Sequence, residues 1–145
     1  MIIDHIGLTV GNYDESKQFF SRALAPLGIE LILEVQGWAG LGRGQKPEFW
    51  FGEGTGKQTA MHIAFVADTR DQVRAFYAAA LAAGGTDNGP PGIRTIYHPD
   101  YFGAFVLGPD GHNYRGGLPP PRAVDWRAGM TECMALRWTR LADGE

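Results

Sequence analysis

The chain contains one unit twice, and that repetition limits its fold more than any other feature. Shifted by 57 residues, the separation of His5 from His62, His62-Ile63 falls on His5-Ile6, Ala64 on Gly7 and Phe65 on Leu8. Without a gap, Phe76-Tyr77 then meets Phe19-Phe20, Ala80-Leu81-Ala82 meets Ala23-Leu24-Ala25, and Gly85 meets Gly28. So many matches at one offset, with the same apolar spacing, mark tandem structural repeats.

Each copy opens on a strand. Ile6, Leu8 and Val10 alternate with His5, Gly7 and Thr9, and Met61, Ile63 and Phe65 alternate with His62, Ala64 and Val66. Side chains alternate across a strand, so both histidines fall on the face opposite the bulkiest apolar residues. A helix follows in each copy. Asp14 is the expected cap of the first, with Phe19, Phe20, Ala23 and Leu24 as its buried stripe. Thr69 and Gln72 have capping-box spacing for the second, where Val73, Phe76, Tyr77, Ala80 and Leu81 recur at helical intervals. Gly28 and Gly84-Gly85 suit the left-handed positions that end helices. Strands are expected at 29–36, 38–42 and 48–53 in the first copy, and at 93–98, 102–107 and 112–116 in the second. Gly89-Pro90-Pro91-Gly92 reads as a loop and Gly108-Pro109-Asp110-Gly111 as a turn. The expectation is an α+β domain of two tandem βαβββ modules, about 1–56 and 57–113. Their curved mixed, mainly antiparallel sheets surround a cleft.

Composition excludes several functions. A formal charge of -3 over 145 residues gives no basic footprint for nucleic acid. No apolar run is long enough to span a bilayer, and the start lacks the pattern of a secretory leader. A cytoplasmic protein is expected. The single cysteine, Cys133, leaves no intramolecular disulfide and no multi-cysteine zinc site. Neither Cys133 nor Ser16 nor Ser21 has the surroundings of a nucleophile. The glycine-rich stretch 37–44 lacks the lysine-serine ending of a phosphate loop.

Three segments carry a family resemblance. Asp4-His5-Ile6-Gly7-Leu8, His62-Ile63-Ala64-Phe65 and Phe105-Val106-Leu107-Gly108-Pro109-Asp110-Gly111-His112-Asn113 resemble the glyoxalase/bleomycin resistance/dioxygenase group, the vicinal oxygen chelate superfamily. Pro47-Glu48-Phe49-Trp50 and Tyr97-His98-Pro99-Asp100-Tyr101 extend the likeness, which covers about residues 1–113. The resemblance implies paired βαβββ modules, frequent homodimers and a small-molecule ligand. It also implies one divalent metal (Zn, Ni, Fe or Mn) held by histidines of the opening strands and glutamates of later ones. Such a metal polarises neighbouring substrate oxygens.

His5 and His62 are the candidate metal ligands; imidazole alone does not select a metal. The glutamate expected on the last strand is replaced by Arg115, which has no lone pair to offer, so the implied site is incomplete. Glu48 and Glu53 are alternative carboxylates without a convincing match. Trp50, Tyr97, His98 and Tyr101 are candidates for a substrate pocket, with sheet core as the equal alternative. His112 is assigned to the turn. Two functions remain open: a metal-dependent lyase, isomerase or dioxygenase acting on a small oxygenated molecule, and a metal-free binder of the resistance type.

From Tyr114 onward the likeness stops, and the segment 114–145 does not read as a final barrel strand. Inserting one nucleotide ahead of the isoleucine codon in a gene for Asn-Ile-Glu-Ala-Val-Cys-His yields Asn-Tyr-Arg-Gly-Gly-Leu-Pro, as at residues 113–119. The segment is therefore expected to be a frameshifted ending, with Trp126, Met130, Met134, Leu136, Trp138 and Leu141 available for docking and a helix near 127–140. The alternate frame after codon 113 should encode an Ile-Glu-Ala-Val-like ending. Any other translation makes the segment a native extension.

Overall fold

Alternation along the strands separates the two faces of each sheet in the computed structural model, which describes residues 3–55 and 58–119. The order is β1 (Ile6–Val10), α1 (Tyr13–Leu24), a 3-10 turn (Ala25–Leu27), β2 (Glu30–Val35), β3 (Trp38–Gly42) and β4 (Phe49–Glu53). The second unit follows as β5 (His62–Val66), α2 (Arg70–Ala82), β6 (Thr86–Ile93), β7 (Phe102–Leu107) and β8 (Asn113–Leu118). Each unit forms its own four-stranded sheet, β1-β4-β3-β2 and β5-β8-β7-β6, and neither closes on itself. The opening strand runs parallel to the last strand of its unit, and the other pairings are antiparallel. The duplicated α+β architecture is as read from the repeat.

One face of both sheets feeds a common core. Leu8, Leu41, Phe49 and Phe51 of the first sheet meet Ile63, Phe65, Val106 and Tyr114 of the second, with Phe19 and Phe20 of α1 and Val73 and Phe76 of α2. Tyr114 joins the halves: its ring centroid lies 5.1 Å from Phe20, 6.1 Å from Phe19, 6.5 Å from Phe49 and 6.3 Å from Phe65. A polar tie reinforces this junction. Asp110, in the β7–β8 turn, accepts from the Gly11 backbone N–H at 2.8 Å and from the Ser16 hydroxyl at 3.3 Å. It thus places a carboxylate at the N-terminus of α1, where helix dipoles favour negative charge.

Several local expectations need correction. The cap of α1 is Asn12, whose Oδ1 accepts from the Glu15 N–H; Asp14 sits inside the first turn. Asn12 has the extended backbone that a cap requires, whereas the chain is already helical at Tyr13. Thr69 does cap α2, but the Gln72 side chain reaches past it to the Asp68 N–H. Residues 94–98 are not strand, and 89–92 are not loop: Gly89-Pro90-Pro91-Gly92 lies within β6. Here β6 is the outer strand, and its pairing with β7 slips between Asp87 and Gly89 and again between Gly89 and Gly92. Prolines are tolerated on an edge strand and at irregularities because no ladder donor is lost. The strand expected at 112–116 is present as β8, which overturns the reading that nothing from Tyr114 onward forms a final strand. It runs to Leu118 between β5 and β7, because glycines at 116 and 117 admit the Phe76 and Tyr101 rings, and Tyr114 fills the core. Trp126, Met130, Met134, Leu136, Trp138, Leu141 and the helix near 127–140 lie outside the described residues.

Removing the Asp110 tie should loosen the contact between the halves. Asp110→Ala is expected to lower unfolding free energy by about 1–2 kcal/mol in urea titration. His112 supplies a pH dependence of known sign. Its side chain is 2% exposed, its Nδ1 accepts from the Met61 N–H, and burial pushes its pKa below the ordinary 6.5. The unfolded chain therefore takes up a proton more readily than the folded one. Stability is full above pH 6.5 and declines as pH falls from there through the lowered folded value. The urea midpoint should fall from pH 7.5 to 5.5, and His112→Gln should flatten that slope.

Candidate functional site

The faces turned away from the core hold the candidate residues. In the first sheet that face is made unusually smooth by glycine. A Cβ on Gly52 would lie 2.7 Å from the Trp38 ring, and one on Gly40 would lie 2.9 Å from the Trp50 ring. Each indole thus rests on backbone that any larger residue would lift it from. Trp38 also approaches Gly7, where a Cβ would meet its Cζ3 at 3.6 Å. The two indoles, with Asp4, His5, Lys46 and Pro47, line an open cleft of about 600 Å³. Of this set, sequence reasoning singled out His5 and Trp50. It missed Trp38 and Lys46, although glycines directly across the ladder from tryptophans were a usable signal: Trp38 pairs with Gly52, and Gly40 pairs with Trp50.

The polar end of the cleft is a short charge relay. His5 Nδ1 bonds Asp4 Oδ2 at 2.9 Å, and Lys46 Nζ bonds the other carboxylate oxygen. The hydrogen bond from His5, then that from Lys46, holds the Asp4 carboxyl below the usual carboxylate range. With Nδ1 committed to Asp4, Nε2 is the His5 nitrogen left for a ligand. All three residues are well exposed, so their pairing orients the imidazole more than it stabilises the fold.

The second sheet repeats the arrangement with different chemistry. His62 stacks on Phe105 at 6.0 Å, and Arg115 points from β8 across the same face. Tyr97 and Tyr101 lie 5.3 Å apart over the Arg115 guanidinium. Tyr101 is 5% exposed and rests on glycine, since a Cβ on Gly103 would meet its ring at 3.0 Å. Burial raises its phenol pKa, partly offset by the Arg115 charge. The His98 Nδ1 accepts from the Asp100 N–H at 3.0 Å and helps shape the loop that carries both tyrosines. The candidate residues therefore divide between two sheets, His5 and Trp50 on one and His62, Tyr97 and Tyr101 on the other.

The two sheets can be compared position by position. Gly7 pairs with Trp50 in the first, and Ala64 pairs with Arg115 in the second. Trp50 and Arg115 are thus equivalent under the repeat. Both stand beside the histidine-bearing strand; the resemblance implies a glutamate at Arg115, and the repeat makes Trp50 the matching position in the first sheet. Glu53 lies farther along β4 and accepts from the Tyr13 N–H. Among the described residues no three His, Cys, Asp or Glu side chains gather into a possible metal site. An indole and a guanidinium cannot supply the missing donors. The described residues do not fit the implied metal.

The profile of the glyoxalase/bleomycin resistance protein/dioxygenase superfamily matches residues 2–114. The chain belongs to that superfamily. A glyoxalase/bleomycin resistance protein from Albidiferax ferrireducens has the same fold with a TM-score of 0.72 and 26% identity, covering 82% of this chain and 100% of its own. A glyoxalase-related enzyme from Fulvimarina pelagi superposes with a TM-score of 0.64 at 16% identity, covering 81% of this chain and 88% of its own. A putative glyoxalase from Bacillus halodurans does so at 0.62 and 20%, covering 81% and 96%. No curated protein matches the sequence.

The glycine seats of this glyoxalase-like chain generate a direct test. Gly52→Ala should dislodge Trp38 and shift an indole N–H resonance in NMR, while α-helical circular dichroism stays at the parent level. An unmoved indole would show that the ring does not lie on the strand.

Proposed function

We propose that the chain binds a small, planar organic molecule in the cleft of its first sheet, as a glyoxalase-like scaffold working without a metal. The observation behind this reading is the pair of tryptophans laid on Gly40 and Gly52, a flat apolar floor with a polar rim. Aromatic stacking on such a surface contributes roughly 0.5–1.5 kcal/mol per ring beyond burial. At the rim, the His5 imidazole can meet a ligand oxygen and the Lys46–Asp4 pair can sense its charge. The alternative, a metal-dependent lyase, isomerase or dioxygenase using His5 and His62, needs carboxylates at the positions held by Trp50 and Arg115.

A homodimer in the cytoplasm belongs to the same proposal. Exposed Val66, Ile93 and Ile96, outside the tryptophan cleft, supply apolar surface that a second copy would cover. No described helix is long and apolar enough to cross a membrane.

Screening planar aromatic compounds by tryptophan fluorescence, on protein stripped with a chelator, tests the binding. Saturable ligands are expected, Trp50→Ala should weaken them about fivefold, and added Zn, Ni, Fe or Mn should leave affinity unchanged. Binding that appears only after metal is restored would overturn the reading.

A further inference from the structure

The second sheet holds a positive group that the tryptophan cleft does not use. The Arg115 guanidinium carbon lies 4.8 Å from the Tyr97 ring centre, 5.0 Å from Tyr101 and 5.7 Å from Phe105. A second arginine, Arg94, lies 5.5 Å from Phe105 and donates to the Pro90 carbonyl. Among the described residues, neither arginine forms an ion pair with a carboxylate. Among the described residues, the Arg115 Nε is buried without a hydrogen-bond partner, and so is Asn113 Oδ1, two residues earlier on the same face of β8.

These facts belong together. Aromatic rings attract the face of a guanidinium and leave its in-plane N–H donors for something else. A buried donor of a permanent charge without an acceptor is costly, and the natural acceptor is an anion with two oxygens side by side. Asn113 adds an amide that can accept from, or after rotation donate to, a group beside that anion. Loop 94–101 is closed by backbone bonds from Arg94 to Tyr101 and from Tyr101 to His98, which keep the segment bearing both tyrosines beside Arg115.

We infer that Arg115, with Asn113 beside it, forms an anion site on the second sheet for a small carboxylate that also bears a hydroxyl or amino group. The carboxylate bonds Nε and a terminal nitrogen of Arg115 in the guanidinium plane. Its neighbouring hydroxyl or amine donates to Asn113 Oδ1, and Arg94 adds attraction without direct contact. Lysine could not replace Arg115, because it lacks the planar fork and the face that stacks. The site shares no residue with the tryptophan cleft, so either reading can fail alone.

Mandelate, which carries both groups, is the probe, and mandelamide is its uncharged control. Titrated into the full chain at low salt, mandelate should shift the Arg115 Nε–H resonance in NMR and bind at least tenfold more tightly than mandelamide by calorimetry. Arg115→Gln should weaken mandelate about tenfold, and Arg115→Lys should recover only part of that loss. Equal affinity for mandelate and mandelamide would overturn the inference. So would an Arg115 resonance that stays still at millimolar mandelate, or one that stays still while indole resonances move. The NMR reading uses the unaltered chain and therefore stands even if a variant misfolds.

Discussion

The burial of the Tyr114 ring between two half-structures is the contact on which the rest depends. Neither four-stranded sheet has an apolar partner of its own beyond one helix. Phe19 and Phe20 from α1, Phe49 from β4 and Phe65 from β5 all reach the same tyrosine. This shared core joins the sheets through their helix-covered faces, so the opposite faces stay available. Burial raises the Tyr114 phenol pKa, as expected for a group removed from water. Because Asp110 ties the β7–β8 turn to Gly11 and Ser16, the strand bearing Tyr114 and Arg115 is held at both its core face and its leading turn.

Glycine then decides what the free faces can do. A floor of backbone lets large rings lie flat, and Gly40, Gly52 and Gly103 each carry one. The repeat has kept this device in both halves while changing the residue beside the histidine strand to Trp50 in one and Arg115 in the other. One face is therefore an aromatic shelf with a small charged rim, and the other is a guanidinium packed among aromatic rings. A fold shared by isomerases, dioxygenases and binders is compatible with either use, which is why the site carries the functional argument.

Much of the fold was legible in the sequence because its signals were periodic. The matched His-Ile pairs, the Phe-Phe and Phe-Tyr helix stripes and the Gly-Pro-Asp-Gly turn each depend on spacing, which survives without any knowledge of neighbours. The misread parts depend on neighbours. Gly89-Pro90-Pro91-Gly92 is strand only because β6 is an outer strand with slipped pairing. Residues 114–118 are strand because β5 and β7 flank them and Tyr114 completes the core. Of the site, the incompatibility of Arg115 with a metal was readable from its chemistry alone. The matching role of Trp50, and the platform made by Trp38, required the cross-strand register.

The central claim is that His5 and His62 do not act together on a metal, since their sheets place indole and guanidinium where carboxylates would be needed. Long-range nitrogen–proton NMR of the imidazoles during titration with one equivalent of zinc tests it most directly. The account predicts that the His5 and His62 ring nitrogens do not shift together with one-to-one stoichiometry. A joint shift of both rings, complete at one equivalent and reversed by chelator, would contradict it.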